Sequence, residues 1–201
     1  MNVSHQHKIV FLAVPRTGSR ITYKTLQVVL GLKGGAPHGG MTHEMRTPIG
    51  CESYLHVAAG RSPFTRWVSC WVWCKTWPVV PGSHYEDFAR WLRDNPNDFP
   101  GFVERAIQRN YIRTVSAYLA QVKGNLKWHL LRYETLSADF GQLLDQISVS
   151  PVSVPIEHNP ETLRWHTYYD ERSIALVVGH SKMDFERYNY STDIEAQGVI
   201  I

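Results

Sequence analysis

The sequence predicts an α/β fold in which a parallel β-sheet is flanked by helices. Three observations lead there. Short strand candidates recur at residues 8–14, 54–59 and 126–133, the first of them a continuous, β-branched apolar run. The first two end in turns that contain Gly18 and Gly60. Each run is followed by a stretch whose apolar residues repeat at helical spacing. Strands that alternate with helices are joined by crossovers, and crossovers favour parallel pairing.

The elements follow in order. Residues 8–14, Lys-Ile-Val-Phe-Leu-Ala-Val, form a continuous apolar run of the kind buried on both faces of a parallel sheet. A turn over Pro15, Arg16, Thr17 and Gly18 leads into a helix over residues 19–30, with Gly31 placed as its C-terminal cap. The second run is followed by Gly60, Arg61, Ser62 and Pro63, in which Ser62 is the expected N-cap and Pro63 the first helical residue. Phe64, Trp67, Val68 and Trp71 then mark one helix face. Residues 86–93 and 102–120 are expected to be helical. So is the stretch after the third run, with Ser137 as N-cap and Phe140, Leu143, Leu144 and Ile147 on one side. A last helix is expected over residues 168–179.

Length and composition bound the rest. At 201 residues, with 43% hydrophobic residues, the chain is expected to fold as a single domain over 1–201, with residues 1–7 a mobile terminus. A net charge of +3 is too small to predict nucleic-acid binding, yet it permits a local basic pocket for a small anion. Cys51, Cys70 and Cys74 cannot all pair, and the last two stand four residues apart on a predicted helix, too far for easy bridging. Free thiols, a polar start and no apolar run of spanning length lead to the expectation of a cytoplasmic protein without a membrane span. His5 and His7 have no Cys or carboxylate at ligand spacing, and no metal is expected.

The turn after the first strand is the chemically informative place. A strand that feeds a helix through a glycine-containing turn presents backbone N–H groups and the positive end of the helix dipole at one point, an anion site. The ATP-binding form of such a loop reads GxxxxGK[ST], and no Gly-Lys-Ser/Thr occurs in this chain.

Residues 14–20, Val-Pro-Arg-Thr-Gly-Ser-Arg, resemble the 5′-phosphosulfate loop of the sulfotransferases that use 3′-phosphoadenosine 5′-phosphosulfate (PAPS), which typically reads Pro-Lys-Thr-Gly and then small hydroxyl residues. Residues 61–69 resemble that family's 3′-phosphate motif, with Arg61 and Ser69 eight positions apart. Residues 131–136, Leu-Arg-Tyr-Glu-Thr-Leu, and the aromatic-rich end from Tyr168 to Tyr190 are softer similarities. Together they run from about residue 9 to 190. The resemblance implies a P-loop-NTPase-like parallel sheet, PAPS as sulfate donor and 3′-phosphoadenosine 5′-phosphate (PAP) as product. It also implies Arg16, Thr17, Gly18, Ser19 and Arg20 at one phosphate, Arg61 and Ser69 at the other, and Tyr118 near the adenine.

PAPS carries two separated anionic groups, so its site needs two anion-binding centres, which an Arg and a hydroxyl can supply. Arg16 stands where the family usually has Lys; a guanidinium keeps its charge but does not give up a proton. Arg20 is a second departure from the family pattern. A base is needed for the acceptor, and the segment His38-Gly-Gly-Met-Thr-His43-Glu44 matches the family's His-containing stretch best with His38 in that role, His43 second and Glu44 third. The acceptor is expected to be a small molecule or carbohydrate bearing a hydroxyl or amine. Two other readings stand beside this one: an atypical P-loop small-molecule kinase, against which the missing Gly-Lys-Ser/Thr counts, and a PAP- or PAPS-binding module without turnover.

Overall fold

The computed structural model describes residues 2–34, 41–150, 152 and 163–197. Its sheet has four strands in the order β1 (Asn2–Ser4), β2 (Ile9–Leu12), β3 (Leu55–Gly60), β4 (Lys127–Arg132). The last three pair in parallel, Phe11 opposite Val57 and Val57 opposite His129, as the alternation of strand candidates with helices predicts. Each observed strand is shorter than or offset from its run. A backbone N–H of Val14 returns to Leu12 O at 3.1 Å and closes β2, and Tyr133 opens a 3₁₀ turn that ends β4.

β1 departs from expectation. Residues 1–7 read as a mobile terminus, whereas Asn2–Ser4 pair antiparallel with β2 and are buried. Side-chain and bridge contacts far along the chain hold this strand: Val3 exchanges both backbone hydrogen bonds with Lys33, at 2.9 Å each, and Ser4 Oγ donates to Leu30 O.

Contacts group the chain into two compact units, one of residues 1–61 and 115–157, the other of residues 62–114 and 158–201. The first holds the sheet with helices α1 (Ser19–Leu30), α5 (Val115–Leu119) and α6 (Leu136–Gln146). Ile9, Phe11 and Ala13 alternate onto one sheet face with Val57 and Ala59. There they pack with Leu26 and Leu30 of α1 and with Phe140, Leu143 and Leu144 of α6. Gly31 caps α1 at φ 61°, as its position predicts. The N-cap of α6 is Thr135, two residues before the expected Ser137, and the Thr135 hydroxyl donates to Asp139 Oδ1 at 3.0 Å.

The second unit is helical: α2 (Pro63–Cys74), α3 (Glu86–Asp94), α4 (Phe99–Gln108), α7 (Glu171–His180) and α8 (Lys182–Tyr188). Its core joins Phe64, Trp67 and Trp71 of α2 to Phe99 and Phe102 of α4 and to Val177 and Phe185. Cys70 and Cys74 lie buried within α2, and neither forms a disulfide among the described residues. The helix expected over residues 102–120 is two helices, since Asn110 adopts a left-handed φ of 50° and stops α4. The last helix begins later than expected, at Glu171, where Asp170 and Ser173 form a reciprocal capping box. Among the described residues no helix is long and apolar enough to cross a membrane.

Candidate functional site

Three turns leave the carboxyl ends of three parallel strands in the first unit, the edge at which α/β sheets carry ligands. β2 runs out through Ala13 and Val14 into the turn before α1, β3 through Gly60 into Arg61, and β4 through Arg132 into Tyr133.

The first turn is shaped by two left-handed residues. Arg16 has φ 65° and Gly18 φ 77°. For Arg16 that conformation costs on the order of 1 kcal/mol or more, the kind of strain that collects at ligand-binding loops. The hydroxyl of Thr17, a fully buried residue, donates to Val14 O at 2.9 Å, which ties the turn back to the strand. Thr22 closes the other side, its backbone N–H and its hydroxyl both reaching Gly18 O at 3.1 Å. Gly18 is the N-cap of α1 and has no side chain with which to cap it. The first-turn N–H groups and the positive helix end therefore belong to the loop. Ser19 is buried, Arg16 half-buried and Arg20 exposed on the first turn of α1.

Tyr133 joins this loop to Arg61. Its ring packs directly on Gly18: a Cβ added there would lie 2.9 Å from Tyr133 Cε2 and closer still to Cδ2. The Arg61 guanidinium carbon sits over the same ring, 4.3 Å from its centroid. Arg61 is only 6% exposed, and a planar guanidinium stacked on an aromatic ring is held in orientation with its N–H fork intact. The ring is positioned by the strand end beneath it. Asp139 accepts from Arg132 N at 2.8 Å, from Arg132 Nε at 3.3 Å and from the Thr135 hydroxyl. The linking role of Tyr133 is not read from sequence, although the Arg-Tyr-Glu at a strand end is the signal that marks its position.

His43 stands beside the loop. Its Nδ1 lies 2.5 Å from the carbonyl oxygen of Ala13, the residue that follows β2. A carbonyl only accepts, so Nδ1 carries a proton, and in the neutral imidazole the lone pair is then on Nε2, the tautomer a general base requires. The residue itself is exposed. Glu44, the third candidate base, forms a surface ion pair with Arg46 at 2.6 Å. His38 lies outside the described residues.

Of the remaining expected site residues, Tyr118 is half-buried on α5 in the first unit. Ser69 is buried on α2 in the second unit. His56, buried in β3, donates from Nδ1 to Tyr54 O at 2.9 Å and lies 3.0 Å from the Thr47 hydroxyl through Nε2. Burial holds its pKa below the ordinary histidine value. His180 in the second unit is lowered for the same reason. Two surface hollows of that unit lie around Arg105, one of them about 340 Å³ and lined by Trp91, Asp98, Gly101, Glu104, Arg105 and Gln108.

Comparison of the chain with protein-family models, with curated proteins and with solved structures finds no match.

Proposed function

We propose that this protein is a sulfotransferase that moves the sulfuryl group of PAPS to a hydroxyl or amine acceptor. The observation that carries the reading is the meeting of Gly18 and Arg61 on the Tyr133 ring. It sets a strained helix-entry loop without a side-chain cap and a guanidinium stacked on an aromatic ring side by side at one sheet edge. Two neighbouring anion centres suit a ligand with two separate phosphate-type groups better than a single phosphate.

PAPS supplies an activated sulfuryl group whose leaving group is a phosphate. The residues of the chain do the rest. Loop N–H groups from residue 16 onward and the Arg16 guanidinium stabilise the charge that grows on the departing phosphate. Arg61 holds the 3′-phosphate through charge-assisted hydrogen bonds. His43 Nε2 accepts the acceptor's proton as the new oxygen–sulfur or nitrogen–sulfur bond forms and the sulfur–oxygen bond to the phosphate breaks, with PAP as the second product. Because Arg16 is never deprotonated, it acts by charge alone and donates no proton to the leaving group. That same residue favours a second reading, a PAP- or PAPS-binding module without turnover.

Thermal unfolding in the presence of PAP or ADP tests the donor assignment. A ligand at 100 times its dissociation constant adds about 2.7 kcal/mol, which for a chain of this size raises Tm by roughly 5–10 °C. PAP is expected to give such a shift and ADP a much smaller one. Equal shifts, or none, overturn the reading. A PAP shift with no sulfated product across phenol, sugar and amine acceptors selects the binding module.

A further inference from the structure

Asn2 lies on β1, away from the loop in sequence, yet its side chain reaches the segment that carries His43. Its Nδ2 donates to Phe11 O at 3.1 Å and to Thr42 O at 2.9 Å, while its Oδ1 accepts from Thr42 N at 3.0 Å. The amide thus forms a reciprocal pair with the Thr42 backbone, as a partner strand would, and a third bond to β2. Asn2 is buried, with 2% of its surface exposed; its bond to Phe11 O is buried and the pair with Thr42 is partly sheltered from competing water. The next residue along the chain is His43, whose Nδ1–H reaches Ala13 O, two residues beyond Phe11 and just past the end of β2.

We infer that Asn2 is a positioning residue for His43: it clamps Thr42 to β2 so that the imidazole is held in the Nδ1–H tautomer with Nε2 available. The inference rests on the role of His43 as base in the proposed sulfotransferase. The exposed ring has one hydrogen bond among the described residues, whereas the backbone just before it is fixed at both its N–H and its C=O. Serine or alanine at position 2 removes all or most of that grip, and aspartate keeps only the acceptor for Thr42 N–H.

The test uses the full chain labelled with ¹⁵N, and reads the His43 ring directly from its two nitrogen resonances, assigned with His43→Gln. Wild type is expected to show a single Nδ1–H tautomer at neutral pH. Asn2→Ala is expected to show a mixture of tautomers. Asn2→Asp is expected to do the same and serves if the alanine variant does not fold. Ser4→Ala is the control, because it deletes a β1 hydrogen bond to Leu30 O without touching Thr42. Its ring spectrum should match wild type. Acceptor-free hydrolysis of PAPS to PAP and sulfate should fall on the order of 10–100-fold in the Asn2 variants, the scale expected for a misplaced catalytic group, with the PAP-induced Tm shift unchanged. An unaltered His43 tautomer in the Asn2 variants, or an equal change in Ser4→Ala, overturns the inference. Absence of any PAP shift in wild type overturns the sulfotransferase reading instead, and leaves the ring measurement to decide the role of Asn2.

Discussion

Gly18 has no room for a side chain because the ring of Tyr133 occupies the space where its Cβ would be. This contact joins the turn after β2 to the end of β4, and Tyr133 carries Arg61 from the end of β3 on the same ring. Three separate turns therefore share one aromatic side chain.

Gly18→Ala should be destabilising for two reasons that can be separated. A left-handed φ of 77° strains any side chain, at about 1–3 kcal/mol. Overpacking against Tyr133 adds a comparable amount. Urea unfolding of Gly18→Ala, of Tyr133→Leu and of the double variant should show the second loss partly recovered when the ring is trimmed. Simple additivity would mean that the contact has no energetic weight.

Arg61→Ala should weaken PAP binding with little change in fold. Hydrogen bonds to charged groups contribute about 1.5–3 kcal/mol, so the dissociation constant should rise about 10- to 150-fold. Arg61→Lys should recover only part of this, since an ammonium lacks the planar fork that stacks on Tyr133. Calorimetric titration of the three proteins with PAP reads the difference, and equal affinities would remove Arg61 from the site.

Asp139→Ala should cost about 1–3 kcal/mol. The buried carboxylate receives Arg132 N, the Arg132 side chain and Thr135 Oγ1, and its removal leaves the β4 terminus without these anchors. The half-exposed Arg132 side chain contributes the smaller part. Since Tyr133 follows directly, PAP affinity should fall along with stability in this variant, and a stability loss with PAP affinity intact would separate the anchor from the site.

Stability should fall as pH drops below about 6.5, the ordinary histidine pKa. His56 and His180 are held neutral by burial, with folded-state pKa values below that of the unfolded chain. Below the unfolded value the unfolded state binds more protons than the folded one, so stability decreases until the folded pKa is reached and then levels off in this contribution. Urea midpoints between pH 7.5 and 5 should show the decline, and His56→Gln should make it shallower. An unchanged slope would mean that His56 protonates equally in both states.

The parts of the fold that local chemistry determines are legible in the sequence. The strand candidates around Phe11, Val57 and Leu131 mark the parallel strands, and Gly31 and Pro63 mark helix ends, because burial of β2 and β3 on both faces and backbone restriction act on neighbouring residues. β1 is not legible, since a three-residue strand such as Asn2–Ser4 owes its place to Lys33, Leu30 and Thr42, distant in sequence. Nor is the break at Asn110, where one left-handed residue ends a helix in an otherwise helical pattern. In the candidate site, the positions of Gly18 and Arg61 follow from motif spacing. Their union through Tyr133 and the seating of His43 on Ala13 O depend on three strand ends meeting at one sheet edge, which no local pattern encodes.

The most direct measurement is a crystal structure of the protein with PAP. The 5′-phosphate should rest on the backbone N–H groups of residues 16–20 with the Arg16 side chain beside it, and the 3′-phosphate should rest on Arg61. PAP bound away from the turn before α1, or bound there with its 3′-phosphate out of reach of the Arg61 guanidinium, would contradict the account.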